Sequence, residues 1–139
     1  MSFVLDNSVA LAWCFEDEQT PAVMELLDRV ADTGAVAPFL WPLEALNGLL
    51  AAERRRRVDP AKRAALAAFL RDLPVTLDGD TAERAWDTTA ALAERFALTV
   101  YDAAYLELAR RRHLPLASLD RDLRAAAAAA GVEVLGVAA

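Results

Sequence analysis

Short apolar runs without polar alternation recur along the chain, and segments with apolar positions at helical spacing separate them. Such runs are typical of strands in a parallel sheet that is covered on both faces. Strands are predicted at 3–5, 35–39, 114–118 and 132–135. Because strands that alternate with helices form layered structures, the sequence predicts an α/β fold, a three-layer sandwich with a central parallel sheet flanked by helices.

Six helices are predicted from apolar spacing and from residues that favour helix ends. Thr20 and Asp59 each precede a proline and are suited to cap a helix, and Gly131 is suited to follow the end of the last one. A turn is predicted at Asp78 and Gly79, before the fourth helix. The six helices are predicted to begin near Pro21, Pro42, Pro60, Ala82, Tyr101 and Arg121.

Length and composition narrow the class of protein. A chain of 139 residues suits one domain, expected to span 1–139, and 56% hydrophobic residues allow a sizeable core. Cys14 is the only cysteine, so an intramolecular disulfide and a cysteine-based zinc site are excluded, and a reduced, cytoplasmic setting is expected. No segment has the pattern of a signal peptide or a membrane span, so no membrane contact is expected.

The charge distribution gives a mixed indication about nucleic acid. A formal net charge of −6 argues against a non-specific nucleic-acid coat, which is normally basic. Arginines are nevertheless clustered at 54–57 and 110–112. Such a cluster is usually a solvated face, and contact with substrate phosphates is the alternative.

Four acidic residues stand where apolar stretches meet other elements. Asp6 directly follows the first predicted strand. Glu44 and Asp102 fall in the first turns of predicted helices, and Asp120 lies between a strand and the last helix. A single acid in such a place is usually a helix cap, because the helix dipole stabilises a carboxylate there. Open parallel sheets bind ligands at the carboxyl ends of their strands, so four acids at one such edge would converge.

Converging carboxylates have a specific chemical consequence. They repel one another unless they share protons or bind a cation. Oxygen ligands without histidine or cysteine suit Mg²⁺ or Mn²⁺. Such a site is suited to hydrolysis of phosphodiester bonds, because the metal offsets phosphate charge, activates water and stabilises the leaving oxygen.

The motifs "VLDNSVALAW", "LEALNGLL", "LTVYDAAYLELA" and "LASLD" together resemble the PIN-domain ribonucleases, particularly the VapC-type toxins of bacterial and archaeal toxin–antitoxin pairs. The resemblance covers essentially the whole chain, and "LTVYDAAYLELA" is its most specific part. It implies a parallel sheet between helices and a Mg²⁺-dependent endoribonuclease, with Mn²⁺ as an alternative ion. It also implies an RNA substrate, a cognate antitoxin protein as partner and a homodimer.

The resemblance assigns roles to particular residues. It places the family's four acids on Asp6, Glu44, Asp102 and Asp120, with Asp120 preferred to Asp122 because it directly follows a strand. Asp6 and Asp102 would be the principal metal ligands. Glu44 and Asp120 would complete the site through waters or a second ion. Three further polar residues would orient the carboxylates and water: Ser8, Asn47 and Ser118.

The sequence leaves other classes of protein as alternatives. A haloacid-dehalogenase-like phosphatase also has Asp after its first strand, but needs a second Asp where this chain has Ser8. A response-regulator receiver expects an acid pair at the first strand and a late lysine, and Lys62 is the only lysine. A non-catalytic interaction module with the PIN fold is disfavoured because all four acids are present.

The remaining conspicuous side chains favour structural roles. Trp13, Trp41 and Trp86 fall in apolar periodic segments and are predicted to lie in the core or an interface rather than to stack on bases. Cys14 and His113 are expected to be structural, because neither has a partner for a nucleophilic pair.

Overall fold

A five-stranded parallel sheet forms the centre of the computed structural model, which describes residues 2–137. Positions 1, 138 and 139 of the predicted domain range lie outside the described residues. The spatial order of the strands is β3-β2-β1-β4-β5, so the order reverses between β1 and β4. In chain order the strands are β1 (Val4–Leu5), β2 (Ala35–Pro38), β3 (Val75–Asp78), β4 (Leu116–Ala117) and β5 (Val134–Leu135).

Helices flank the sheet and complete an α/β three-layer sandwich, which confirms the predicted fold class. Glu16–Glu18 is a 3₁₀ turn, and Ala85–Thr89 is a π-helical turn between two helices. No helix within the described residues is long and apolar enough to cross a membrane. The helices are α1 (Asn7–Cys14), α2 (Pro21–Thr33), α3 (Trp41–Arg54), α4 (Pro60–Asp72), α5 (Thr81–Arg84), α6 (Ala90–Phe96), α7 (Val100–Arg112) and α8 (Arg121–Ala129).

The predicted caps explain where two of these helices begin. The Thr20 hydroxyl accepts a hydrogen bond from the backbone N–H of Val23 at 3.2 Å, and Asp59 accepts one from that of Lys62 at 2.7 Å. These bonds satisfy backbone donors that have no partner inside the helix. After α8, Gly131 has φ of 79°, a conformation that glycine adopts without a steric penalty.

Several elements differ from the prediction. Helix α1 is not among the predicted helices, because most of its residues are buried and its apolar pattern therefore lacks a polar face. The turn predicted at Asp78 is wrong, because Asp78 ends the edge strand β3 and only the following Gly79 begins a turn. The strand β3 is not among the predicted strands, and β1, β2, β4 and β5 are shorter than the strands predicted for them.

The core is built around β1 and α7. Phe3, Val4 and Leu5 are fully buried, and residues 103–109 of α7 are buried without interruption. A helix buried on all sides belongs in the interior of the fold, where it fixes the elements that pack on it.

The tryptophans do not all join this core. Trp13 and Trp41 are buried as predicted, but Trp86 is 90% exposed, which excludes the core and leaves the interface alternative of its prediction untested. Trp86 lies in the π-helical turn, where the wider turn changes which side chains face inwards, and Thr89 is buried there instead. Cys14 is buried.

An ion-pair cluster joins α7 to the end of β3. The Arg111 guanidinium contacts Asp78 Oδ2 at 2.6 Å and Glu107 Oε2 at 2.9 Å, and Arg112 contacts Asp78 Oδ1 at 3.4 Å. Burial alone would raise the pKa of Asp78, but hydrogen bonds from Arg111 and Thr81 outweigh it and hold that pKa below its ordinary value. Arg111 is therefore neither part of a solvated face nor free to contact phosphate.

We predict that Arg111→Met strongly destabilises the fold. The substitution leaves the carboxylates of Asp78 and Glu107 buried without their principal cation, a change that typically costs about 3–5 kcal/mol. The measurement is the free energy of unfolding in urea. Arg110→Met is the matched control on the exposed side of the same helix, expected to change stability by about 0.5 kcal/mol or less. A loss of unfolding free energy below about 1 kcal/mol for Arg111→Met would contradict the role of Arg111 as the principal cation of this cluster.

Candidate functional site

The four predicted acids stand at the junctions where strands end and helices begin. Asp6 directly follows β1 and immediately precedes α1, and it is only 4% exposed. Glu44 lies in the first turn of α3, and Asp102 in the first turn of α7. Asp120 is the residue that precedes α8. Four separate elements therefore supply these carboxylates.

Two serine hydroxyls hold the carboxylate of Asp6. Ser8 and Ser118 both donate to Asp6 Oδ2, at 2.5 Å and 2.9 Å. The same hydroxyls accept hydrogen bonds from backbone N–H groups beyond β4, Ser8 from Leu119 and Ser118 from Asp120. Because β1 and β4 pair in parallel, the residues that follow the two strands lie side by side and can form these contacts. Both serines therefore contact Asp6, the carboxylate that they were predicted to orient, and the backbone N–H groups of Asn7 and Ser8 also lower its pKa by hydrogen bonding.

A buried tyrosine holds Glu44. The hydroxyl of Tyr105 donates to Glu44 Oε1 at 2.7 Å, and Tyr105 is fully buried in α7. The start of α7 is itself capped, since Thr99 accepts a hydrogen bond from the N–H of Asp102 at 3.1 Å. Neither Tyr105 nor Thr99 is among the predicted site residues. The spacing of Tyr105 three residues after Asp102 is the signal that places it on the same helix face.

Asp120 and Asn47 have different surroundings. Asp120 Oδ2 accepts a hydrogen bond from the N–H of Leu123 at 2.8 Å and so caps α8, whereas Asp122 is exposed in the first turn. Within residues 2–137, Asn47 is exposed on α3 and takes no part in the hydrogen bonds that hold the four acids. The orienting role of Asn47 therefore stays a prediction.

The four carboxylates are electrostatically coupled. Burial, together with the negative charges of Asp6, Asp120 and Glu44, raises the pKa of Asp102 to about 6. Burial also raises the pKa of Asp6, against the hydrogen bonds from its two serines. The pKa of Glu44 is raised by burial and by the charge of Asp6, although the bond from Tyr105 opposes this. The site therefore disfavours its own negative charge, which a cation would offset.

The carboxylates do not form a ready-made coordination shell. Within residues 2–137, no three His, Cys, Asp or Glu side chains lie close enough together to hold one metal ion. The chemistry of the donors nevertheless fits Mg²⁺ or Mn²⁺, because carboxylate oxygens are the ligands that these ions prefer. One oxygen each of Asp6, Glu44 and Asp120 is fixed by hydrogen bonds. Their second oxygens are the atoms that can bind a cation or water.

The fold and the four electrostatically coupled acids can be compared with those of known protein families. Residues 3–129 match the family described as the PIN domain, and the chain belongs to that family. PIN domains are generally metal-dependent nucleases, and those nucleases bind RNA. The resemblance inferred from the motifs is therefore confirmed at the level of the family, and family membership favours a nuclease over the phosphatase and the interaction module.

A solved structure agrees with this fold. The crystal structure of PAE2754 from Pyrobaculum aerophilum is similar with a TM-score of 0.70 and 23% sequence identity, covering 96% of this chain and 89% of that one. At this identity the likeness shows the fold alone. No curated protein sequence matches the chain.

We predict that the protein without divalent metal loses stability as pH rises from about 4 to about 6. The pKa of Asp102 is raised to about 6 in the folded state, so the folded protein binds more protons than the unfolded chain in this interval. Asp102→Asn should remove much of this slope and raise the unfolding free energy at pH 7.5 by about 1 kcal/mol, after allowance for solvent screening.

Urea unfolding in EDTA across this pH range is the measurement. Asp28→Asn, which neutralises an exposed acid in α2, is the matched control and should leave the slope unchanged. An unchanged slope for Asp102→Asn would mean that the electrostatic coupling is too weak to matter.

Proposed function

We propose that this protein is a Mg²⁺-dependent endoribonuclease, with Mn²⁺ as an alternative ion. The observation that carries the proposal is the supply of four coupled carboxylates by four elements of a PIN-family fold. RNA is the substrate because nucleases of this family bind RNA. Cleavage is expected to leave a 5′-phosphate and a 3′-hydroxyl.

Asp6 and Asp102 are the proposed principal metal ligands. Asp6 is buried and held by two hydroxyls on Oδ2, so its Oδ1 has a fixed position. The pKa of Asp102 is raised by burial and by the other three acids, so a nearby positive charge stabilises the charged form of this carboxylate. The bound metal supplies charge neutralisation for the phosphate and an activated water.

Glu44 and Asp120 are proposed to position water around the phosphate. Each has one oxygen held by a hydrogen bond, from Tyr105 to Glu44 and from the backbone of Leu123 to Asp120. The free oxygen of each can accept a hydrogen bond from water and orient it for attack. Ser8 and Ser118 orient Asp6, whereas Asn47 is exposed and would act only on a bound substrate.

The arginines at the end of α3 are candidates for phosphate contact. Arg54, Arg55 and Arg56 are exposed, whereas Arg57 forms ion pairs with Asp17 and with Glu18. At about 1.5 Å per helical residue, these side chains begin about 15 Å from Glu44. They would therefore contact the RNA several nucleotides from the bond that is cleaved.

We predict that Asp6→Asn and Asp102→Asn each lower Mg²⁺-dependent RNA cleavage by at least about 100-fold, because each removes a principal ligand. The measurement is single-turnover cleavage of a labelled single-stranded RNA, with EDTA and with Mg²⁺ restored. Asp122→Asn, an exposed acid beside the site, is the control and should cleave like the wild type. Cleavage that survives EDTA, or equal cleavage by Asp6→Asn, would refute the proposal.

We further propose that the nuclease is the toxin of a type II toxin–antitoxin pair, of the VapC type. Its motifs resemble that group, and the cytoplasm is then the expected location of its RNA target. A homodimer and a small antitoxin protein are the proposed partners.

Growth of a bacterial host tests the toxin assignment. Induced wild-type protein is expected to arrest growth, and Asp6→Asn is expected to be harmless at the same protein level. Co-expression of the adjacent open reading frame should restore growth if it encodes the antitoxin. Arrest by Asp6→Asn as strong as that by wild type would show that toxicity does not depend on cleavage.

A further inference from the structure

The hydroxyl of Tyr105 connects the core of the protein to the acidic site. The side chain is fully buried and is one of the largest in the core, so neighbouring side chains fix its ring. Its hydroxyl donates to Glu44 Oε1 at 2.7 Å. Burial and the charge of Glu44 raise the pKa of Tyr105, so the phenol remains a donor at neutral pH. The donor is therefore fixed, and Glu44 adjusts to it.

Helix geometry relates this donor to the second acid on the same element. Tyr105 follows Asp102 by three residues, which places both on one face of α7. The Thr99 cap defines the start of that helix. Glu44 belongs to α3, and the hydrogen bond from Tyr105 fixes its carboxylate relative to α7, the helix that carries Asp102.

The side chain of Glu44 needs such a restraint. Glu44 is partly exposed and has a long side chain, and fixing such a side chain costs up to about 2 kcal/mol of rotamer entropy. Without the phenol it would be free to turn towards solvent. A hydrogen bond to one carboxylate oxygen selects one rotamer and determines where the other oxygen points.

We propose that Tyr105 is a positioning residue, which holds Glu44 Oε1 so that Oε2 faces the cation and water beside Asp102. The proposal rests on the proposed metal-dependent cleavage and adds a residue to its machinery. The rival explanation is that Glu44 merely satisfies a buried phenol, which usually requires a partner. The two explanations differ in what Tyr105→Phe changes: metal binding in one case, stability alone in the other.

The experiment compares Tyr105→Phe with Tyr101→Phe. Tyr101 is an exposed tyrosine on the same helix, adjacent to Asp102, so it is a matched control for loss of a phenol hydroxyl. Mn²⁺ affinity is measured by calorimetry, and RNA cleavage in Mg²⁺ is separated into kcat and KM. Tyr105→Phe is expected to weaken Mn²⁺ binding by about 10-fold or more and to lower kcat, with KM for RNA unchanged. Tyr101→Phe is expected to match the wild type.

A double-mutant cycle with Glu44→Gln identifies the route of the effect. If Tyr105 acts through Glu44, adding Tyr105→Phe to Glu44→Gln causes no further loss of metal affinity. Full additivity of the two losses overturns the proposal. Wild-type affinity and kcat in Tyr105→Phe, together with a lower melting temperature, also overturn it and establish the structural explanation.

The outcomes separate this inference from the proposed function. Wild-type protein that neither binds Mn²⁺ nor cleaves RNA refutes both. An active wild type with an equally active Tyr105→Phe refutes only the role of Tyr105. If Tyr105→Phe does not fold, the wild type still decides by NMR, since the phenol proton bonded to Glu44 must shift when Mg²⁺ saturates the site. An unchanged resonance overturns the proposal.

Discussion

The hydrogen bonds to Asp6 are the interaction on which the acidic site depends. A carboxylate at the end of the central strand is costly to bury unless donors surround it, and Ser8 and Ser118 supply two of them. Both hydroxyls also accept from the backbone after β4, so neither has an unused hydrogen atom or an unrestrained orientation. The strand β1, the loop to α8 and the first turn of α1 are thereby fixed relative to one carboxylate.

Helix α7 carries three further polar groups, two of which belong to the acidic site. Its beginning supplies Asp102, its middle supplies the phenol of Tyr105, and its end supplies Arg111. Because residues 103–109 are buried, the apolar core determines where these polar groups lie. A substitution inside this helix would therefore affect both the geometry of the acidic site and the stability of the fold. A substitution of Arg111 is expected to affect stability. The same helix therefore supplies both core residues and polar groups of the acidic site.

The sequence is sufficient for features that depend on local order and fails for those that depend on distant contacts. The apolar run before Asp6 predicts a buried strand, and Thr20 and Asp59 identify helix starts, because each signal lies within a few residues. The bond from Tyr105 to Glu44 joins residues 61 positions apart, so no local pattern indicates it. The exposure of Trp86 is not evident from the apolar spacing, because a π-helical turn alters the helical periodicity there.

The bond from Ser118 to Asp6 spans 112 positions of the chain, which has a consequence for the order of folding. The central strand β1 is synthesised well before its neighbour β4, because seven helices and two strands of the described chain lie between them. Closing so long a loop is slow compared with forming local helices. A ribosome-bound chain therefore carries Asp6, Glu44 and Asp102 before the segment with Ser118 and Asp120 has been made. Assembly of the acidic centre must therefore wait until β4 and the segment after it have been made.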